Sequence, residues 1–138
     1  MKIFLIDDDS LSLFLTQRLL MLEGFKDIRT FLSAEEALEF LASSSVEEIP
    51  DVVLLDLNMP GMSGWEFLDA LPPLDSKLRG KFSLYILTSS LDVSDTAKSQ
   101  EYSIVSGLIH KPITPEDIKM IAQQVSEGPH PNLKTAQK

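Results

Sequence analysis

Residues 52–64 have the sequence VVLLDLNMPGMSG. Four apolar residues, 52–55, lead directly into Asp56, and the chain then breaks at Pro60 and Gly61. A short apolar run bounded by turn residues is typical of a strand buried on both faces of a parallel sheet. Asp56 is therefore predicted to lie where this strand ends, at the edge where open α/β sheets bind ligands. The plainer alternative is an Asp that only begins a turn.

Four further short segments are predicted to be strands, one of them the continuous apolar run at residues 3–6, and patterns with helical spacing lie between them. Such alternation is typical of βαβ units with right-handed crossovers. It predicts an α/β fold, with a doubly wound, five-stranded parallel sheet in a flavodoxin-like three-layer sandwich. If the strand order is 2-1-3-4-5, as we expect, the ligand crevice lies between the first and third strands. The predicted strands are residues 3–6, 28–31, 52–55, 84–87 and 107–110.

Two of the predicted helices have an unusual composition. The first has five apolar residues along one face: Leu11, Phe14, Leu15, Leu19 and Leu22. The fourth, in residues 92–101, is polar apart from Val93 and Ala97, so we expect it to pack weakly. Residues 74–81 are predicted to form a surface loop, and Trp65 to pack on one face of the third helix.

Length and charge limit the function. The chain has 138 residues and a formal net charge of −9, and cysteine is absent, which excludes disulfide and thiolate chemistry. We expect one domain at residues 1–127 and a flexible tail at 128–138. Nucleic acid is not expected as a direct ligand, because phosphate binding needs clustered Lys and Arg. No apolar run approaches the roughly 18 residues of a membrane span, so a cytoplasmic protein is expected.

Polar residues follow four of the five predicted strands. Asp7 and Asp8 follow the first, Asp56 the third, Thr88 the fourth and Lys111 the fifth. Because the carboxyl ends of parallel strands meet at one edge of the sheet, these side chains are expected to lie together. Three neighbouring carboxylates repel one another and favour a bound cation. Oxygen ligands without Cys or His select a hard ion, above all Mg2+, which usually also binds a phosphoryl oxygen.

The same residues suit phosphoryl chemistry. A carboxylate such as Asp56 can act as a covalent nucleophile and form an acyl phosphate. Lys111 offers a mobile positive charge for one phosphoryl oxygen, and Thr88 offers a hydroxyl donor for another. Each residue could instead have a purely structural role: a helix cap for the acid pair, a strand residue for Thr88 and a surface lysine for Lys111.

With these motifs in place, the chain resembles a receiver domain of a bacterial two-component response regulator, close to the single-domain chemotaxis type. The resemblance covers about residues 1–127. Its motifs are Asp7-Asp8, Asp56 followed by Asn58-Met59-Pro60-Gly61 and Gly64, Thr88-Ser89, and Lys111-Pro112.

The resemblance implies roles for the acids. Asp56 would be the phosphoacceptor. The side chains of Asp8 and Asp56 and the backbone carbonyl of Asn58 would hold Mg2+, while Asp7 would act through water or on Lys111. The Lys111–Pro112 bond is expected to be cis, as in the family.

The resemblance also implies how the phosphoryl group is held and where it comes from. Thr88, Lys111 and Ser89 would bind it and begin the switch. The donor would be a sensor histidine kinase or a histidine phosphotransfer protein, and the output would be contact with a downstream protein target. Asn58 and Ser90 flank the expected path of hydrolytic water and should affect the lifetime of the acyl phosphate.

The chain departs from the family at one switch position. Leu108 stands on the fifth strand where the family has an aromatic residue that changes rotamer. His110 is two residues further and shares a face with Leu108, so both are candidates for an output face. The weakly packed segment 92–101 is the expected moving element, since low-stability segments are the ones that move.

Two other classes of protein share part of this pattern. A Mg2+-dependent phosphatase of the haloacid dehalogenase class also uses an Asp nucleophile after a strand, but it needs a second Asp where Asn58 stands. A flavodoxin-type redox carrier needs a phosphate loop after the first strand, where the three acids of residues 7–9 would repel the FMN phosphate.

Overall fold

The sheet has the predicted architecture. The computed structural model describes residues 1–74, 78, 82–89 and 92–126, so the predicted tail at 128–138 and Ser90 lie outside the described residues. All strand pairs are parallel, and the spatial order is β2-β1-β3-β4-β5. The strands are β1 (Lys2–Ile6), β2 (Asp27–Phe31), β3 (Val52–Asp56), β4 (Ser83–Thr88) and β5 (Val105–His110).

Helices cover both faces of the sheet. Buried side chains of α2 and α3 join one core cluster, and those of α1 and α5 join a second cluster on the other face. Within the described ranges, no helix has both the length and the apolar character needed to cross a membrane. The helices are α1 (Ser10–Leu22), α2 (Ala34–Ser43), α3 (Gly64–Asp69), α4 (Val93–Ser99) and α5 (Pro115–Ser126), with short 3-10 turns at Val46–Glu48 and Pro72–Leu74.

Strand β3 lies in the middle of the sheet and is buried along its whole length. Its alternate residues enter opposite clusters, with Val53 and Leu55 on one face and Val52 and Leu54 on the other. This explains the continuous apolar run, because neither face of a central parallel strand meets water. Asp56 completes the strand and is only 6% exposed, so a carboxyl group is carried to a nearly dry position.

Four of the five residues on the predicted face of α1 are exposed, and Leu19 alone among them packs against the core. Leu13 and Leu20 are the buried residues of this helix, while Leu11, Leu15 and Leu22 are 63%, 57% and 75% exposed. The prediction failed because apolar residues occur all around α1, so periodicity does not single out the core-facing side. A line of large apolar side chains therefore remains on the surface.

Helix α4 packs weakly, as predicted. Ser99 is its one buried residue, and Val93 is 79% exposed. The C-terminal end is tied to α3 through Trp65, whose ring stacks on Tyr102 with centroids 5.7 Å apart. Lys98 places Nζ 4.9 Å from the centroid of the same Trp65 ring. Trp65 thus packs between helices, as expected for this residue.

The segment predicted as a surface loop at residues 74–81 is described only at Leu74 and Leu78. Leu78 is 4% exposed and belongs to the core cluster beneath α2 and α3. A purely superficial loop is therefore the wrong description at this position, because an apolar side chain anchors it.

Candidate functional site

Three acids meet at the carboxyl edge of the sheet. Asp7 and Asp8 follow β1, and Asp56 ends β3, which pairs directly with β1. One carboxylate oxygen of each residue can be chosen so that all three lie within 4.8 Å of one another. Asp7 and Asp56 are buried, whereas Asp8 is exposed, so the cluster opens to solvent on one side.

Lys111 brings a positive charge to these acids. Its Nζ lies 2.8 Å from Oδ2 of Asp7 and 3.5 Å from Oδ1 of Asp56. The backbone of Lys111 donates a 2.8 Å hydrogen bond to the carbonyl of Thr88, and the Lys111–Pro112 bond is cis. The residue that follows β5 is thereby fixed to the residue that ends β4.

Burial and neighbouring charge set the ionisation of Asp56. Burial raises the pKa of its carboxyl group from 3.8 to about 6; Lys111 opposes this rise, and the charges of Asp7 and Asp8 add to it. Burial also acts to lower the pKa of Lys111, but the hydrogen bond to Asp7 and the charges of Asp56 and Asp7 outweigh it, so that pKa is raised. Lys111 therefore stays charged at neutral pH. Asp56 is mostly ionised at that pH, but the charge of Lys111 only partly compensates for its burial.

Asp7 is held through both of its oxygens. Oδ1 accepts a 3.0 Å hydrogen bond from the backbone N–H of Asp9, and Oδ2 accepts one from Lys111. Asp9 in turn caps α1, since its Oδ1 accepts from the backbone N–H groups of Leu11 and Ser12. The start of α1 thus orients Asp7 toward Lys111. Asp7 is therefore held more firmly by hydrogen bonds than Asp8 and Asp56 are.

The remaining predicted residues lie on the same edge with different exposure. Thr88 is the last residue of β4 and is fully buried, whereas Ser89 is exposed directly after it. Asn58 is exposed in the loop that follows β3. On β5, Leu108 is half-buried against the core and His110 is exposed.

The loop after Asp56 returns tightly under its own strand. The N–H of Gly64 donates a 3.0 Å hydrogen bond to the carbonyl of Leu57. A Cβ atom on Gly64 would lie 2.7 Å from the carbonyl oxygen of Asp56 and 2.9 Å from Cα of Leu57. Both obstacles are backbone atoms, so only glycine fits where α3 begins. Close packing at Gly64 therefore helps to fix the backbone of Asp56.

Sequence reasoning missed two features near the acids. One is Glu35 of α2, whose Oε2 accepts a 3.1 Å hydrogen bond from the backbone N–H of Met62 in the loop after β3. The other is a groove of about 600 Å3 that runs from the exposed side of α1 to Lys111. The run of apolar residues in α1 was a signal for the groove, but contact between Glu35 and Met62 leaves no periodic trace in the sequence.

The acids fit a hard divalent cation. Their ligand atoms are all carboxylate oxygens, and the exposed Asp8 leaves an open side on which waters or another oxygen ligand can complete a coordination shell. No thiolate is present in the chain to favour a softer metal. Asp7, Asp8 and Asp56 are the residues of this cluster that could hold such an ion.

Comparison with known proteins identifies the family of this chain. Residues 3–123 match the family described as "Response regulator receiver domain". The Arabidopsis thaliana "Two-component response regulator ARR14" is 28% identical over 91% of this chain and 31% of its own length. The nitrate/nitrite response regulator protein NarL of Escherichia coli is 34% identical over 57% of this chain and 34% of its own length. This chain thus spans about a third of these two relatives.

Solved structures agree with the sequence matches. A response regulator receiver protein from Dyadobacter fermentans superposes with a TM-score of 0.82 at 30% identity, covering 91% of this chain and 98% of that one. A two-component response regulator from Cytophaga hutchinsonii gives a TM-score of 0.83 at 28% identity, with 91% and 96% covered. The chain belongs to the response regulator receiver domain family, a family of signalling domains whose standard function is phosphorylation on an aspartate.

Proposed function

We propose that Asp56 is the phosphoacceptor of this receiver domain and that its phosphorylation depends on Mg2+. The observation that carries the proposal is the position of Asp56, beside the two acids that follow β1 and 3.5 Å from the ammonium group of Lys111. Asp56 is nearly buried, but the exposed Asp8 beside it leaves the cluster open to an incoming phosphoryl group. The donor is a phosphohistidine of a sensor kinase or a phosphotransfer protein.

The proposed transfer makes one bond and breaks one bond. An oxygen of the ionised Asp56 carboxylate attacks phosphorus, an O–P bond forms, and the N–P bond of the phosphohistidine breaks. The electron pair of that bond goes to the imidazole nitrogen, which takes up a proton from solvent. Mg2+ held by Asp8, Asp56 and the Asn58 carbonyl, beside Asp7, would neutralise charge on the phosphoryl oxygens.

Lys111 and Thr88 serve the product in this proposal. Once Asp56 carries a phosphoryl group, Lys111 forms an ion pair with one of the phosphoryl oxygens. This ion pair adds to or replaces the 3.5 Å contact between Nζ of Lys111 and Oδ1 of Asp56. Thr88 is drawn toward a second oxygen, and Ser89 follows it. Self-catalysed transfer and slow hydrolysis are the reactions expected of the domain itself, with no other substrate turned over.

The groove on α1 is proposed as the docking site for the protein that donates the phosphoryl group. Leu11, Leu15 and Leu22 line it and are exposed, and Lys111 lines its end near Asp56. Contiguous apolar surface of this kind marks interaction sites on proteins. A donor seated here lies beside the phosphoacceptor, which is the requirement for direct transfer between two proteins.

The output is proposed to pass through α4 and β5. Movement of Thr88 pulls on the segment that leads into α4, and α4 yields because little of it is buried. The stacked rings of Trp65 and Tyr102 lie at the C-terminal end of α4. They either shift with α4 or limit how far it moves. Leu108 and His110 on β5 complete the surface offered to a downstream protein.

Intact mass after incubation with acetyl phosphate tests the proposal. The native chain with Mg2+ should gain one phosphoryl group, and the adduct should be absent with a chelator or in Asp56→Asn. Release of inorganic phosphate without an adduct, at a rate that Asp56→Asn abolishes, would favour a phosphatase over a switch. A native chain that binds Mg2+ and gains no phosphoryl group would contradict phosphorylation by small donors.

A further inference from the structure

The loop that connects β3 to α3 is held at two points. At its base, the N–H of Gly64 donates to the carbonyl of Leu57 at 3.0 Å. Near its tip, the N–H of Met62 donates to Oε2 of Glu35 at 3.1 Å. The second hydrogen bond joins the loop to the first turn of α2, a separate element on the same face of the sheet. The loop is therefore fixed relative to α2 as well as to its own ends.

The backbone of the loop is shaped to receive this carboxylate. Gly61 has a φ of +74°, in the left-handed region that favours glycine. A Cβ atom on Gly61 would lie 2.8 Å from Oε2 of Glu35. The carboxylate thus takes the space that a side chain at position 61 would use. Glu35, Gly61 and Met62 thus meet in one contact, to which the glycine contributes the left-handed backbone conformation.

Asn58 lies between the two fixed points. Its backbone carbonyl is the candidate Mg2+ ligand, so the direction of that ligand depends on the conformation of the loop and not on the Asn58 side chain. Met59, the next residue, is buried and holds the loop from below. A contact that restrains the loop at Met62 therefore restrains the direction of the Asn58 carbonyl.

We infer that Glu35 is a positioning residue of the metal site: its carboxylate holds the loop at Met62 and thereby orients the Asn58 carbonyl toward Mg2+. This inference rests on the proposed function, because it assumes that the acids and Asn58 bind the metal. Glu35 touches neither the metal nor the phosphoryl group in this account. It acts by reducing the number of loop conformations that binding must otherwise select.

Three variants separate the hydrogen bond from the charge. Glu35→Ala removes both, Glu35→Gln keeps an acceptor oxygen without the charge, and Glu36→Ala removes an equal charge from the next exposed position of α2. Mg2+ affinity is measured by calorimetry with no phosphodonor present. Exchange of the Met62 amide proton is measured by NMR in metal-free protein, which reports the contact independently of Mg2+ and of phosphorylation.

Glu35→Ala should weaken Mg2+ binding by about threefold to tenfold, the range that one ordinary hydrogen bond contributes, and should speed exchange at Met62. Glu35→Gln and Glu36→Ala should bind Mg2+ within about twofold of the native chain, because exposed charges are screened at physiological ionic strength. Equal affinity in Glu35→Ala and Glu36→Ala, or equal weakening in Glu35→Ala and Glu35→Gln, overturns the inference. A native chain without Mg2+ affinity contradicts the proposed function instead.

Discussion

Lys111 and Asp56 place Nζ and Oδ1 within 3.5 Å of each other, although the strands that they follow or end, β5 and β3, are separated by β4. The lysine side chain therefore reaches across the end of β4, where Thr88 lies. The carboxylate that we propose as the nucleophile therefore ends β3, the hydroxyl group ends β4, and the ammonium group belongs to the residue after β5. A phosphoryl group on Asp56 would meet Lys111 and Thr88 without a change of fold.

Stability should depend on the ionisation of Asp56. Its pKa in the folded chain is raised from 3.8 to about 6, so the folded state holds this proton more tightly than the unfolded state does. Ionisation of Asp56 therefore lowers the free energy of unfolding progressively as the pH rises from 3.8 to about 6, and this loss of stability is complete above about pH 6. In metal-free buffer at pH 8, Asp56→Asn should be more stable than the native chain by about 3 kcal/mol.

Urea unfolding at several pH values measures this effect. The gain from Asp56→Asn should shrink as pH falls toward 4, where the native carboxyl group is protonated in the folded state. Asp27→Asn, at an exposed position in β2, is the control and should change stability little at any of these pH values. An equal gain at all pH values would show that burial of a charge at Asp56 is not the cause.

Loss of Lys111 should raise the pKa of Asp56 further. The ammonium group is the largest influence that lowers this pKa, so Lys111→Ala leaves burial and the charges of Asp7 and Asp8 unopposed. NMR titration of the Asp56 side-chain carboxyl carbon should place its pKa above 6. Lys119→Ala, at an exposed position of α5, should leave the titration as in the native chain. An unchanged titration in Lys111→Ala would contradict the electrostatic coupling.

The α1 groove should matter only for protein donors. Leu15→Asp places a charge in the groove and should slow transfer from a histidine kinase that phosphorylates the native chain, by about tenfold or more. Phosphorylation by acetyl phosphate should be unaffected, because that donor needs no docking surface. Met21→Asp, at an exposed position of α1 that does not line the groove, is the control. Equal losses with both donors, or in both variants, would remove the groove from the account.

Trp65 should report the switch. It is the single tryptophan of the chain, and its ring contacts Tyr102 and Lys98 at the C-terminal end of α4. If α4 moves on phosphorylation, the emission of Trp65 should change with acetyl phosphate and Mg2+, and Asp56→Asn should abolish the acetyl phosphate effect. Constant emission in a sample that mass analysis shows to be phosphorylated would mean that α4 does not move at this end.

Much of the site could be predicted because buried parallel strands appear in the sequence as continuous apolar runs. The polar residue that ends each run then marks the carboxyl edge, which is how Asp7, Asp56, Thr88 and Lys111 were found. Their assembly depends on a parallel sheet, which the alternation of strands and helices indicates, and on the strand order, which the alternation does not determine and which the structure shows to be the expected 2-1-3-4-5. The distances among them, such as the 2.8 Å approach of Lys111 to Asp7, required the structure.

Two features could not be predicted, for different physical reasons. The buried side of α1 was assigned wrongly because apolar residues surround this helix, and the exposed ones serve a surface instead of the core. The contact between Glu35 and Met62 joins a side chain to a backbone N–H group 27 positions away. Because any side-chain acceptor of suitable length could make this hydrogen bond, no particular residue pattern marks it in the sequence.

The most direct test of the central claim locates the phosphoryl group itself. After incubation with acetyl phosphate and Mg2+, borohydride reduction converts an aspartyl phosphate into homoserine, which peptide mass mapping assigns to one position. We expect homoserine at position 56 alone, and none when Mg2+ is chelated. Homoserine at position 7 or 8, or Mg2+-dependent labelling that persists in Asp56→Asn, would contradict the assignment of Asp56 as the phosphoacceptor.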